Sequence, residues 1–318
     1  MTWLKKHSAQ VAAYSGLVLC IVFFTILTPI FGESIWSAAK IKTLMQNVIV
    51  LALMSVGATF VYSLGSMDIS IGRQVGLYAT LTVIIGNATG SLLWGILLSL
   101  VISVIISAIN GAAGEVLNIH PVISSLVFQM VISGVSSVMY NSLGSRNVAL
   151  MNTIDVSIFR QTWFMILALV IEVLTVGYLF NFTKLGKNAK AIGANPTAAR
   201  QSGINLVQYK VYAYIIMGVC VVLAALFQMG YTASASDSTG TGFEMNVMVA
   251  LILGGMPLSG GMRSKVSCAI VGSFTYALLS VGLPMLGVAA NQVFVIKAVL
   301  FLIVVVLTCR KKNGVLPR

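Results

Sequence analysis

Apolar runs of eighteen or more residues recur along the whole chain, and no other feature limits its fold so severely. Each run is long enough to cross the hydrocarbon core of a bilayer, which takes about 20 helical residues. Lipid offers the backbone no hydrogen-bond partners, so a span has to be a helix or part of a closed barrel. Barrel strands are about 10 residues long and alternate in polarity. These runs are longer and do not alternate, so the expected class is an all-α, polytopic transmembrane bundle. Composition agrees. Only 8% of the 318 residues are charged, against about 25% in soluble domains, and the mean hydropathy is +0.99.

Ten spans are expected, at about 11–31, 43–63, 74–90, 92–112, 122–140, 163–182, 209–230, 244–261, 266–285 and 290–309. An eight-span arrangement follows if 74–90 and 244–261 only dip into the bilayer. The first run follows Lys5 and Lys6 and reads as an uncleaved span, because Phe31-Gly32-Glu33 is a poor cleavage site. Loops are short, so residues 1–318 form one membrane domain.

Basic residues set the expected orientation. With the N-terminus inside, fourteen of the nineteen Lys and Arg fall on the cytoplasmic side, including Arg73, Arg263, Lys265 and Arg310. Lys40, Lys42, Arg146 and Arg160 fall outside, and Lys297 lies within a span. Both termini are then cytoplasmic. The net charge of +12 is spread over span ends rather than gathered on one soluble face, which argues against nucleic acid as a partner. Abundant Gly and Ser within spans predict close helix packing. Cys20, Cys220, Cys268 and Cys309 lie in apolar runs without CxxC spacing and read as small buried hydrophobes.

One polar stretch stands apart: KLGKNAKAIGANPTAARQSGINLVQYK, residues 184–210, with five basic residues and no acid. Asn195 has the side-chain oxygen of a helix N-cap, Pro196 suits the first helical position, and Gly203 can take the left-handed conformation that stops a helix. The spacing predicts a helix over Pro196–Ser202 outside the membrane. So short a helix needs a partner surface, and small side chains at Thr197, Ala198, Ala199 and Ser202 suit entry into a groove. A basic turn that serves only topology is the plainer alternative.

This stretch resembles the coupling loop of bacterial ABC-importer permeases of the ribose-type sugar family, in Gly186, Ala191, Ile192, Gly193, Asn195, Ala198, Ala199, Arg200, Gly203 and Ile204. Further motifs of that family are matched by Gly65-Ser66-Met67-Asp68-Ile69-Ser70-Ile71-Gly72, by Asn110-Gly111 with Ile119-His120-Pro121, by Gly240, Gly242 and Glu244, and by Gly254-Gly255 with Gly260-Gly261. The resemblance covers about residues 45–305. It implies a fold like the type II importers, a coupling loop at about 184–208, and a second permease subunit, identical or different. It also implies cytoplasmic ATPases carrying ATP and Mg, an extracytoplasmic solute-binding protein, a site in the bacterial inner membrane and a monosaccharide cargo. Nucleosides and branched-chain amino acids are the rival cargoes. GSMDISIG (65–72) and GGMPLSGG (254–261) also echo each other, as repeats in transporters do.

No stretch reads G-x-x-x-x-G-K-[ST], so the chain lacks the usual phosphate-cradling loop. Two histidines offer no nucleophile–base set and no metal cluster, so a catalytic role is not expected. Ionisable residues at membrane depth are functional candidates by default. Asp68 either caps the following helix or lines the pathway. Glu172, in mid-span, is a candidate partner for Lys297. An ion-coupled secondary transporter using Asp68, Glu172 and Lys297 is the alternative from a different class. Asn110, Gln129, Gln228, Asn246, Asn291 and Gln292 could line the path of a hydroxyl-rich solute or join helices, with joining the commoner use.

Overall fold

The computed structural model describes residues 8–32, 34–151 and 154–309. Lys5, Lys6, Arg310 and the residues after it lie outside them. The chain is helical almost throughout. α1 (Ser8–Leu27) runs into a 3-10 turn (Thr28–Phe31); α2 is Ala38–Ser63, α3 Ile71–Thr89, α4 Leu92–Val116 and α5 Pro121–Ser142. After strand β1 (Asn147–Ala149) come α6 (Thr162–Phe182), α7 (Lys184–Ala194), α8 (Pro196–Gln201) and α9 (Leu206–Thr232). Strand β2 (Ser234–Ser236) precedes α10 (Phe243–Leu253), α11 (Val266–Met285) and α12 (Ala290–Cys309).

Among the described residues seven helices are long and apolar enough to cross a membrane: the α1 region, α2, α4, α5, α6, α9 and α11. They fall into two groups by burial. The best apolar window of α2 is 83% buried, whereas those of α4, α5 and α6 are each 22% buried. α2 is therefore the axis of the bundle, with α9 and α11 against it, and the outer helices face lipid or a partner.

The outer helices invert the pattern of a soluble protein. The buried stripe of α4 is Gly95, Ser99, Ser103, Ser107, Asn110 and Gly111, while Leu93, Leu97, Val101 and Ile105 point outward. Lipid is as apolar as leucine, so helices gain little by hiding leucines and more by close approach of small residues. At Gly218 of α9 a side chain would collide with the hydroxyls of Ser103 and Ser107. α6 buries Met165, Leu169, Glu172, Val176 and Phe180, one stripe of 3.6-residue period, against α2.

Three of the ten expected spans are not among the seven: 74–90, 244–261 and 290–309, the last of which is α12. Residues 244–261 do not form one span: α10 has 11 residues and stops at Gly254-Gly255. Gly255, Gly260 and Gly261 take φ of +85°, +66° and +87°, left-handed conformations that suit glycine and end helices. Residues 74–90 do form a helix, the 19-residue α3, but it carries Arg73 and Gln74 and lies inside the bundle.

The 141–162 connection contains β1, which pairs antiparallel with β2 through Val148 opposite Ala235. The Asn87 side chain at the end of α3 holds this ribbon, donating to the Ala149 carbonyl and accepting from the Met151 N–H, both at 2.9 Å. From β2 the chain runs back along α3. Arg73 donates to the Asp237 carbonyl at 2.9 Å, and glycines 72 and 76 face the carbonyls of Gly240 and Thr239. α3 thus covers this irregular stretch of backbone.

Candidate functional site

The polar stretch 184–210 folds as two helices rather than one helix in a loop. Thr183 caps α7, accepting from the Leu185 N–H at 3.2 Å. α7 buries Gly186, Ala189 and Ile192, and a side chain at Gly186 would overlap the Phe180 backbone. Lys190 lies 4.1 Å over the Phe180 ring. Burial, helped by the charge of Lys265, holds its ammonium below the usual lysine pKa.

Asn195 ends α7 and starts α8, accepting the Ala198 N–H on its side chain at 3.1 Å. Pro196 opens α8, which ends at Gln201, one residue before the expected stop. Gly203 takes φ +79°, and the Ile204 N–H returns to the Ala199 carbonyl at 3.1 Å. Asn205 then caps α9 through Gln208 N–H at 3.2 Å. Two asparagine caps and one glycine thus make a sharp, hydrogen-bonded corner.

Side chains of this corner divide by direction. Thr197, Ala198, Arg200 and Ser202 are exposed, while Ala199 is buried against the bundle. Gly193 faces inward as well. A side chain there would fall on the Ser63 carbonyl at the end of α2 and on the Gly261 N–H, which itself donates to Ser63 O at 2.8 Å. Gly260 packs on the Gly65 backbone. The two glycine-rich turns that echo each other in sequence therefore touch each other, and Gly193 rests on their junction.

A residue that sequence reasoning missed ties this corner to the bundle. Glu115, in the last turn of α4, accepts from Arg200 at 2.6 Å and from Lys210 at 2.5 Å. Lys210 and Glu115 are mostly buried, whereas the Arg200 side chain is 69% exposed. Gly111, one turn earlier, allows the α9 backbone to within 3.0–3.1 Å of where its Cβ would stand, at Val211 and Lys210. The available signal was an acid one helical turn past Asn110-Gly111 in a chain with seven acids in all.

Asp68 lies four residues past Leu64, in the turn between α2 and α3. One carboxylate oxygen accepts from the Ser70 N–H at 2.8 Å and the Ser70 hydroxyl at 2.5 Å. The other accepts from Gln74 at 3.3 Å and from Asn110 of α4 at 3.1 Å. Asn110 in turn accepts from Ser124 of α5 at 3.1 Å. Buried and four times hydrogen-bonded, Asp68 braces the start of α3, and Asn110 joins three elements. α4 thus carries both ties, Asn110 to the Asp68 turn and Glu115 to the polar corner.

The expected pairing of Glu172 with Lys297 is not formed. Glu172 is buried beside Cys220, with neither carboxylate oxygen in an ordinary hydrogen bond. Lys297 donates to the Ser280 hydroxyl at 2.6 Å and lies 4.0 Å over the Tyr276 ring. The separation follows from packing: α6 lies against α2, and α12 against α10 and α11. Asp68, Glu172 and Lys297 sit in separate surroundings and make no common site. Glu244, in the first turn of α10, presses its carboxylate into the notch at Gly72.

Residues 41–305 match the family described as branched-chain amino acid transport system / permease component. The ribose import permease protein of Bacillus subtilis (strain 168) is 30% identical over 96% of this chain and 94% of its own length. The galactose/methyl galactoside import permease protein of Salmonella typhimurium (strain LT2) is 29% identical, covering 98% and 96%. The L-arabinose transport system permease protein of Escherichia coli (strain K12) is 26% identical, covering 95% and 92%. No solved structure gives a significant match.

Proposed function

Because this chain belongs to the branched-chain amino acid transport system / permease component family, we propose that it carries a monosaccharide inward as the permease of an ATP-driven importer. It is a multi-pass membrane protein. Its relatives of similar length are named for ribose, galactose and arabinose, which favours a pentose or hexose over an amino acid or a nucleoside. ATP and Mg would sit on a separate cytoplasmic ATPase, a binding protein would deliver the solute from outside, and a second permease subunit would complete the path. The polar corner would then be cytoplasmic, in a ten-segment layout that counts α3, α10 and α12.

The observation that carries this reading is the split character of α8. Its outer side offers small, exposed side chains for a groove, its inner side is buried at Ala199, and the chain on either side of it is held by Gly193 of α7 and by Lys210 of α9 on Glu115. A pull on α8 is therefore passed to α9, from there through the buried Lys210–Glu115 pair to α4, and through Asn110 to the Asp68 turn. ATP binding that favours one state of the ATPase pair shifts the permease between two arrangements.

Ala198→Trp tests this. The variant is expected to insert normally, lose co-purification with the ATPase and lose ATP-dependent uptake of D-ribose, D-galactose or L-arabinose. Wild-type uptake by Ala198→Trp removes the coupling role of α8. Uptake that survives ATP depletion but not loss of the proton gradient supports the ion-coupled alternative instead.

A further inference from the structure

A cavity of about 270 Å³ opens between α2, α9, α10 and α11, far along the bundle from the polar corner. Its polar lining is Gln46, Asn47, Gln228, Asn246, Tyr276 and Ser280. The volume is just under the range of about 300–1,000 Å³ usual for small-molecule pockets, so it suits one small ring. We infer that this cavity is a binding station for a neutral, polyhydroxylated solute, built within a single permease, with Gln228 and Asn246 as its principal hydrogen-bonding contacts. The inference rests on the importer reading and adds the place and the recognition chemistry.

Charge supports the choice of ligand. Among the described residues no acidic or basic side chain lines the cavity. The nearby cation, Lys297, is turned to the Ser280 hydroxyl and the Tyr276 ring. An amino acid would bring an ammonium and a carboxylate into a lining with no opposite charges, and leaving these ions unpaired there is costly. A sugar brings hydroxyls, which need groups that both donate and accept, and side-chain amides do both. The Asn246 carbonyl oxygen accepts from the Tyr276 hydroxyl, which fixes the amide and leaves its N–H groups to donate. Aromatic faces at Tyr231, Phe243 and Tyr276 complete the wall, and they suit the apolar side of a sugar ring.

Position supports a role in transport. Phe243 and Asn246 belong to the first turns of α10, whose Glu244 is locked against Gly72. The far end of α10 leads to Gly260-Gly261, on which Gly193 of the polar corner rests. One short helix therefore links the cavity wall to the segment we assign to the ATPase, so a shift of the corner changes the cavity.

The test uses the permease reconstituted in proteoliposomes with its ATPase and binding protein, with D-ribose, D-galactose, L-arabinose, leucine and uridine as probes. Gln228→Ala and Asn246→Ala are expected to lower uptake of the carried sugar at least ten-fold and to change the ratio among sugars. ATP hydrolysis stimulated by the binding protein should stay within two-fold of wild type. Wild-type rate and sugar ratio in both variants overturns the inference. Should either variant fail to fold, Gln228→Cys and Asn47→Cys are treated with methyl methanethiosulfonate, with the wild type as control for the native cysteines. Block of uptake, slowed by the carried sugar, supports the station, and complete modification without block sinks it. Uptake of leucine alone overturns the monosaccharide cargo and the polyhydroxylated ligand together. Loss of sugar selectivity with intact coupling supports the station and leaves the importer reading in place.

Discussion

The Glu244 carboxylate fills the space that a side chain at Gly72 would need. Two stretches 172 residues apart in the chain are thereby interlocked, the start of α3 with the start of α10. Gly240 completes the fit, since its own Cβ would strike the Gly72 carbonyl.

Gly72→Ala should therefore be poorly tolerated. The new methyl meets both the Glu244 carboxylate and the Gly240 carbonyl 2.5 Å away, and backbone cannot swing aside as a side chain can. Overpacking of this kind costs about 1–3 kcal/mol. A thermal-unfolding scan of the detergent-solubilised protein should show a lower Tm. Glu244→Ala in the same chain should restore only part of it, because the carbonyl stays. An unchanged Tm for Gly72→Ala refutes the interlock.

Asn110→Asp should destabilise more than Asn110→Ala. Asn110 donates to Asp68, so the aspartate sets carboxylate against carboxylate in a buried cluster. Alanine removes one donor from an acceptor that keeps three others, a loss of about 1.5–3 kcal/mol for a hydrogen bond to a charged group. Equal Tm values for the two variants would show that Asp68 bears no charge there.

Glu115→Gln should uncouple the protein, and Arg200→Met should hardly affect it. The Arg200 side chain is largely exposed, and exposed ion pairs contribute about 0–1 kcal/mol. Lys210 is mostly buried, so removing its partner leaves a cation without compensation. The ratio of sugar imported to ATP hydrolysed in proteoliposomes should fall in Glu115→Gln and stay near wild type in Arg200→Met. The reverse order would move the tie to Arg200.

Gly193→Ala should damage coupling while leaving the spans in place. Its methyl would push against the Ser63 carbonyl and the Gly261 N–H, both backbone. Protease accessibility of the 184–210 segment in membrane vesicles should rise, and ATP-dependent uptake should drop by at least ten-fold. Wild-type uptake would mean that the glycine junction yields without consequence.

Composition and run length alone determined that this chain is a helical membrane protein, because no soluble fold can cover so much apolar surface and no open strand survives in lipid. Local chemistry determined the corner at Asn195, Pro196 and Gly203, because caps and left-handed turns depend on near neighbours and scarcely on the rest of the fold. The tertiary structure decided the rest. It cut the 244–261 run to the 11-residue α10, since apolar residues buried by protein look the same in sequence as apolar residues buried by lipid. It also chose the partners of the rare charged groups, giving Glu115 to Arg200 and Lys210 and keeping Glu172 from Lys297. Such pairings depend on which helix faces which, and in a bundle packed by small residues the pattern along one helix does not name its neighbour.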